Sequence, residues 1–301
     1  MPTPKFTRII STAFLRTGYG EEDITEQTFV QAEISYNSEG KVLTEKHFNA
    51  DESLESAVEN EYDEQGLIAV SSQFDETEEL CQKNVFEYDE QKNVLKKGCF
   101  YGEGSPEYST RYIYENGLLT REDSYNEDEF DYTEKSYEYD EHGRLKCRTE
   151  YDEDSQVMYR YTHDYDDNNR IIKTLFEEVI NKDSRTYTYE YDENGRKVKE
   201  LTFNFGGKLI AKSYFTYDEN GNLVEQEDED LDNYRLTKYE YADNKCTKVS
   251  RFDKQEALLA WAEYEYDEYG EVALVKNYVQ DEVRPDWHRS SSQVKYETEW
   301  Y

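Results

Sequence analysis

Side chains capable of chemistry are abundant in this sequence, but none of their spacings is that of a catalytic site. The four histidines, His47, His142, His163 and His288, are scattered along 301 residues. His142 falls in the turn-like "DEHGR". His163 stands two residues before a recurring tyrosine, where most equivalent segments place Tyr or Phe, so it is expected to pack in an aromatic row. The cysteines, Cys81, Cys99, Cys147 and Cys246, form no CxxC pair and stand at no metal-ligand spacing with histidine. Reduced thiols in a cytoplasm fit that usage best. "EDEDLDN" (227–233) sets Asp228, Asp230 and Asp232 at alternate positions, like a calcium loop. Asn233 replaces its sixth-position glycine, however, and Tyr239 its twelfth-position glutamate. No nucleophile-elbow, zinc-helix, phosphate-loop or dinucleotide motif occurs. Carboxylates are so common that no pair stands apart as an acid–base couple. A non-enzymatic chain with no metal and no cofactor is the expectation.

Charge narrows the partners. The 70 acidic and 35 basic side chains give a formal net charge of −35. Such a sheath repels nucleic acid and anionic membrane and attracts a basic protein. It also keeps a sheet-rich surface soluble. No stretch approaches a transmembrane helix. The apolar run "IISTAFL" (9–15) is too short and too broken by Ser and Thr for a signal peptide, so a cytoplasmic location is expected. Only 36% of the chain is hydrophobic and its mean hydropathy is −1.11, values that drift towards disordered chains. The 30 tyrosines and 13 phenylalanines argue for a folded state, because rings carry large apolar areas.

The elements that hold these residues follow from a repeat. Aligning the chain on the tyrosine that precedes each turn gives ten anchors: Tyr36, Tyr62, Tyr88, Tyr114, Tyr139, Tyr165, Tyr191, Tyr217, Tyr241 and Tyr266. So nearly constant a step marks a repeat protein. In "TYTYEY" (186–191), Tyr187, Tyr189 and Tyr191 alternate with polar residues, the period of a strand. "DENG" and its variants then supply hairpin chemistry, a type I turn ending in a glycine bulge. A second strand follows, and a polar stretch such as "DETEE" (75–79) leads to the next unit. The unit is too short for a crossover helix. The predicted fold is therefore all-β: a repetitive antiparallel meander of about twenty strands, two per repeat of ~26 residues. Its low aliphatic content disfavours a sandwich and suggests an elongated, coiled or single-layer sheet. Residues 31–278 would form the ten repeats. Residues 1–30 and 279–301 would cap the open edges, with Trp287 and Trp300 packing in the second cap.

The residue before each anchor is acidic in seven units: Glu61, Glu87, Glu138, Asp164, Glu190, Glu240 and Glu265. On a strand these face away from the tyrosines. They form a stripe that could receive a basic surface, or simply a solvated face that discourages stacking. The tyrosines themselves are read as the structural row that stands in for a core.

At its anchors the sequence resembles the Rhs/YD-repeat family, whose motif is a tyrosine, an aspartate, two variable residues, glycine, a basic residue and an aliphatic one. "YDEHGRL" (139–145) matches it fully, "YDENGRKV" (191–198) nearly, and "YDENGNL" (217–223) lacks the basic residue. "YNSEGKV" (36–42), "YDEQKNV" (88–94), "YENGLL" (114–119) and "YADNKCT" (241–247) depart from it. The resemblance covers about 36–280. Long proteins of that family form hollow β-shells around a toxin domain; this chain is shorter and looks like a stand-alone array. The resemblance implies a bacterial protein that binds another protein, an intracellular immunity-type neutraliser of a basic toxin or effector. A carbohydrate-binding surface array and a structural spacer or shell fragment are the alternative readings.

Overall fold

The computed structural model describes residues 2–16, 24–101, 107–126, 129–280 and 289–301. Every regular element in it is a strand. The first third of the chain holds β1 (Pro4–Arg16), β2 (Ile24–Tyr36), β3 (Val42–Phe48), β4 (Leu54–Tyr62), β5 (Ile68–Phe74), β6 (Leu80–Tyr88) and β7 (Val94–Phe100). Next come β8 (Tyr108–Glu115), β9 (Leu118–Asn126), β10 (Glu129–Tyr139), β11 (Leu145–Tyr151), β12 (Val157–Tyr165), β13 (Ile171–Glu178), β14 (Asp183–Tyr191) and β15 (Lys197–Asn204). The last are β16 (Leu209–Tyr217), β17 (Leu223–Asp230), β18 (Tyr234–Ala242), β19 (Lys245–Phe252), β20 (Leu258–Tyr266), β21 (Val272–Gln280) and β22 (Arg289–Trp300). Each strand pairs antiparallel with the next, as the repeat predicts.

The expected open sheet is not what forms. β1 pairs with β22 as well as β2, from Phe6 opposite Glu299 to Phe14 opposite Ser291, so the meander closes into a 22-stranded barrel. The segments expected to cap open edges, 1–30 and 279–301, supply the seam strands instead. Closure satisfies the two rows of backbone N–H and C=O groups that an open sheet would expose. It extends to the terminus, where Tyr301 N donates to the Thr3 carbonyl at 2.9 Å and the Tyr301 hydroxyl to the Tyr36 carbonyl at 3.0 Å. Trp287 and His288 lie outside the described residues; the Trp300 ring packs against Tyr269 at 5.1 Å.

Strand stagger sets the barrel's dimensions. Glu59, Ser72 and Lys83 are successive ladder partners. From Glu59 to Lys83 the chain advances two positions less than it does between the corresponding anchors, Tyr62 and Tyr88. The same two-residue slip relates Thr188, Leu201 and Lys212 to Tyr191 and Tyr217. Repeated around the ring, it gives a total stagger close to the strand number. That corresponds to a strand tilt of about 37° and a barrel radius of about 20 Å. Among the described residues each strand approaches only its ladder neighbours. Among the described residues there is no layered core, and the buried apolar ones are Ala32, Ala57, Cys99 and Cys147.

Eight of the ten anchors end their strand at one rim, called here the tyrosine rim, while Tyr114 and Tyr241 stand one residue before the end of theirs; both chain termini lie there too. Each anchor sits at a register shift, as between Glu190 and Tyr191, followed by the predicted turn. Gly195 N donates to the Asp192 carbonyl at 3.0 Å, and Gly195 takes φ of 81°, a left-handed conformation that costs glycine no Cβ clash. Lys92 occupies the equivalent position with φ of 69°. Lys92→Gly is therefore expected to raise stability by about 0.5–1 kcal/mol. Urea unfolding measures it, and a lower midpoint would refute the strain at that turn.

Candidate functional site

The repeated motif is a structural relay at the tyrosine rim. Asp192 Oδ1 accepts the backbone N–H groups of Asn194 and Arg196, both at 2.9 Å. Its Oδ2 accepts Arg196 Nε at 2.7 Å. The Arg196 guanidinium then covers the ring of the next anchor, Tyr217, at 4.8 Å and donates to the Asp218 carbonyl at 3.4 Å. The Tyr217 hydroxyl donates back to the Lys197 carbonyl at 2.8 Å, beside the bulge. Arg144 and Arg170 repeat the step onto Tyr165 and Tyr191 at 4.6 and 4.7 Å. Nine anchors, Tyr62 to Tyr266, bond a carbonyl of the preceding unit in this way. The tenth, Tyr36, offers its carbonyl to Tyr301. The anchors are all part-buried.

These bonds shift titrations. The Arg170 side chain, then its backbone N–H, holds Asp166 below the usual carboxylate range, and the Asn222 amide does the same at Asp218. A carboxylate whose folded pKa is depressed contributes stability above its unfolded pKa of about 4, and that contribution is lost as pH falls through the folded value. We expect the urea midpoint to hold from about pH 7 to 5 and to fall steeply below about pH 4, with a shallower fall in Asp166→Asn. A midpoint that climbs steadily down to about pH 3 would overturn the role of the aspartate caps.

The seven predicted acidic residues all lie exposed on the face opposite the tyrosines. The register adds what the sequence did not show: lysines face most of them. Lys199 bonds Glu190 at 2.8 Å, Lys276 bonds Glu265 at 2.5 Å, and Lys173 lies 3.8 Å from Asp164. Lys96 stands opposite Glu87, and Lys248 opposite Glu240. Glu61 and Glu138 face Val70 and Cys147. The strands together hold 31 acidic and 26 basic side chains. The described connections hold 30 and 8. The surplus negative charge is thus carried by the turns, on the two rims.

The far rim departs from this pattern in one sector. Three successive connections, after β13, β15 and β17, expose apolar tips, Ile180 at 58%, Phe205 at 75% and Leu231 at 65%, and the first two hold no acid. Lys182 and Lys208 accompany the first two. Tips two strands apart are spaced by roughly 9–10 Å. The sequence signal was visible as "VINK" and "FGGK" standing where other units carry "DETEE" or "DEDSQ".

The remaining candidates are structural. His163 Nδ1 lies 3.0 Å from Thr174 Oγ1, and its ring meets Tyr165 edge-on at 6.5 Å. Burial lowers its pKa, so it sits in the aromatic row as expected. Asp230 accepts the backbone N–H groups of Asp232 and Asn233 at 2.9 and 2.8 Å, a turn and no cation cage. Among the described residues no three His, Cys, Asp or Glu side chains gather at metal-binding distance. The buried acids Glu122 and Asp123 escaped the sequence reading. Glu122 takes Lys135 Nζ at 2.9 Å and the Tyr137 hydroxyl, and Asp123 takes Arg121 at 2.8 Å. Burial first, then Glu122, pushes the Tyr112 phenol up to about 12.

No family model matches the chain. No curated protein matches it either. Several solved structures are similar at low identity. A chain of the TcdB2–TccC3–Cdc42 crystal structure is 13% identical over 83% of this chain and 15% of its own, with a TM-score of 0.31. The Photorhabdus luminescens Tc holotoxin pore, carrying TccC3-D651A, gives 13%, 89% and 16%, with a TM-score of 0.27. A porin-like protein from Bacteroides uniformis ATCC 8492 is 11% identical over 99% of both chains, with a TM-score of 0.35. This chain thus spans about a sixth of the toxin chains' length. At these scores the likeness is one of β-rich architecture.

Proposed function

We propose that the protein is a non-enzymatic binding protein that takes a basic protein partner on its far rim, as an intracellular neutraliser of the immunity type would. The observation that carries this reading is the row of Ile180, Phe205 and Leu231, exposed side by side within an acidic rim. Protein interfaces draw affinity from a few apolar anchors, while surrounding charge speeds encounter. The seven acids of the stripe opposite the tyrosines would add to that steering at the places where lysines leave them unmatched. Four free cysteines accord with a reducing compartment. Both faces carry charge at mid-strand, Lys212 with Glu229 on one and Glu200 and Arg148 on the other, which favours an aqueous setting. The tyrosines serve sugar stacking poorly, because arginines cover the rings of Tyr165, Tyr191 and Tyr217.

The test compares the wild-type chain with a variant carrying Ile180→Asp, Phe205→Asp and Leu231→Asp as baits in lysate of the source cells. A single stoichiometric partner held by the wild type at moderate salt, and weakened by about 100-fold or more in the variant, is the expected result. Capture that is equal for both baits, or that washes away entirely with salt, would sink the proposal.

A further inference from the structure

A cavity of about 300 Å³ opens on the tyrosine face across β19 to β22. Its floor is made by Ala260 and Ala262; the place of Ala262, four residues before its anchor, is filled in some other units by larger residues such as Tyr161 and Tyr187. Four polar side chains surround that floor: Arg251, Tyr264, Asn277 and Ser292. The ladder fixes their places. Arg251 is directly opposite Ala260, while Ala262, Asn277 and Ser292 are successive partners in the next row. Tyr264 follows Ala262 by two residues on the same face.

The chemistry of this patch differs from that of the rest of the barrel. Six other arginines are engaged: Arg144, Arg170 and Arg196 bond aspartates, and Arg8, Arg121 and Arg148 bond acids on their own or a neighbouring strand. Arg251 is exposed and forms no hydrogen bond or ion pair among the described residues. In a chain of net charge −35, a guanidinium left open beside an amide, a phenol and a hydroxyl is an anion receptor in waiting. The alanine floor leaves room for an apolar body next to the anion. The cavity's volume lies at the lower limit of small-molecule sites, enough for one ring or a short chain. The acidic field of the whole protein penalises each further negative charge on a ligand, so a monoanion fits better than a dianion.

We propose that this patch is a binding site for a small monocarboxylate with an apolar body, its carboxylate held by the Arg251 fork and its body seated on Ala260 and Ala262. Asn277 and Ser292 supply further donors at the floor's edge. The site is separate from the far-rim apolar row and does not depend on the protein-partner reading.

Calorimetric titration of the full chain with 3-phenylpropionate, 3-phenylpropionamide and phenyl phosphate tests the assignment. Saturable binding of the carboxylate is expected, with the neutral amide and the phosphate each weaker by about tenfold or more. Arg251→Gln should weaken the carboxylate by about tenfold or more, consistent with losing a charge-assisted pair. Ala260→Leu should weaken it by filling the floor. Arg251 has no hydrogen bond or ion pair among the described residues to lose, so its variant should keep the far-ultraviolet circular dichroism of the parent. Absence of saturable binding, equal binding of acid and amide, tighter binding of phenyl phosphate, or indifference to Arg251→Gln would each overturn the proposal.

Discussion

Removing β22 is expected to open the molecule, whereas removing two adjacent strands is not. β1 and β21 both run away from the tyrosine rim, so without β22 they could meet only in parallel. Every ladder in the barrel is antiparallel, and the two exposed edges would instead seek other chains. A chain ending at residue 280 should therefore be elongated or self-associated. Deleting residues 192–217 instead joins Tyr191 to Asp218, excises β15 and β16, and leaves two strands fewer, still an even number. β14 then meets β17 through the "DENGN" turn, in the register that β16 uses now. Because neighbouring strands supply nearly all contacts, such a deletion should be tolerated and should shrink the barrel radius by about a tenth, roughly 2 Å. Small-angle scattering with light scattering distinguishes the two variants. A monomeric, compact protein lacking β22, or an unfolded one lacking β15 and β16, would contradict closure by strand parity.

Alkali should unfold the barrel cooperatively between about pH 10 and 12. Burial raises the phenol pKa of Tyr88, Tyr114, Tyr139, Tyr165, Tyr241 and Tyr266, and each hydroxyl donates to a backbone carbonyl. A group whose folded pKa lies above its unfolded value contributes stability that is complete below the unfolded pKa, here about 10, and is lost as pH rises through the folded one. Bonds to glutamates raise Lys199, Lys212, Lys248 and Lys276 as well, and their contribution disappears in the same window. Phenolate absorbance should therefore lag behind a free tyrosine titration and then rise together with loss of the strand dichroism. Tyr165→Phe removes the 2.7 Å bond to the Leu145 carbonyl and should cost about 1 kcal/mol at neutral pH. Phenols that titrate freely near their unperturbed value of about 10 in an intact barrel would show that the anchors do not hold the repeats together.

The sequence by itself determined everything local. The alternation in "TYTYEY", the turn after each anchor and the constant spacing specified hairpins and faces, because those depend on residues a few positions apart. It also placed the seven acids opposite the tyrosines, where they are found. What the tyrosines do was less legible: the hydroxyl's target and the arginine that covers the ring both belong to the preceding unit. Closure was decided only by tertiary structure. The joining of β1 to β22 links the two ends of the chain, as where Thr7 meets Thr298. It follows from a two-residue slip summed over every hairpin together with an even strand count. The distribution of charge had the same origin. A stripe of seven acids reads as a bare negative face until the register brings lysines opposite most of them. Only then does the surplus appear on the rims, where the exposed tips of Ile180, Phe205 and Leu231 interrupt it.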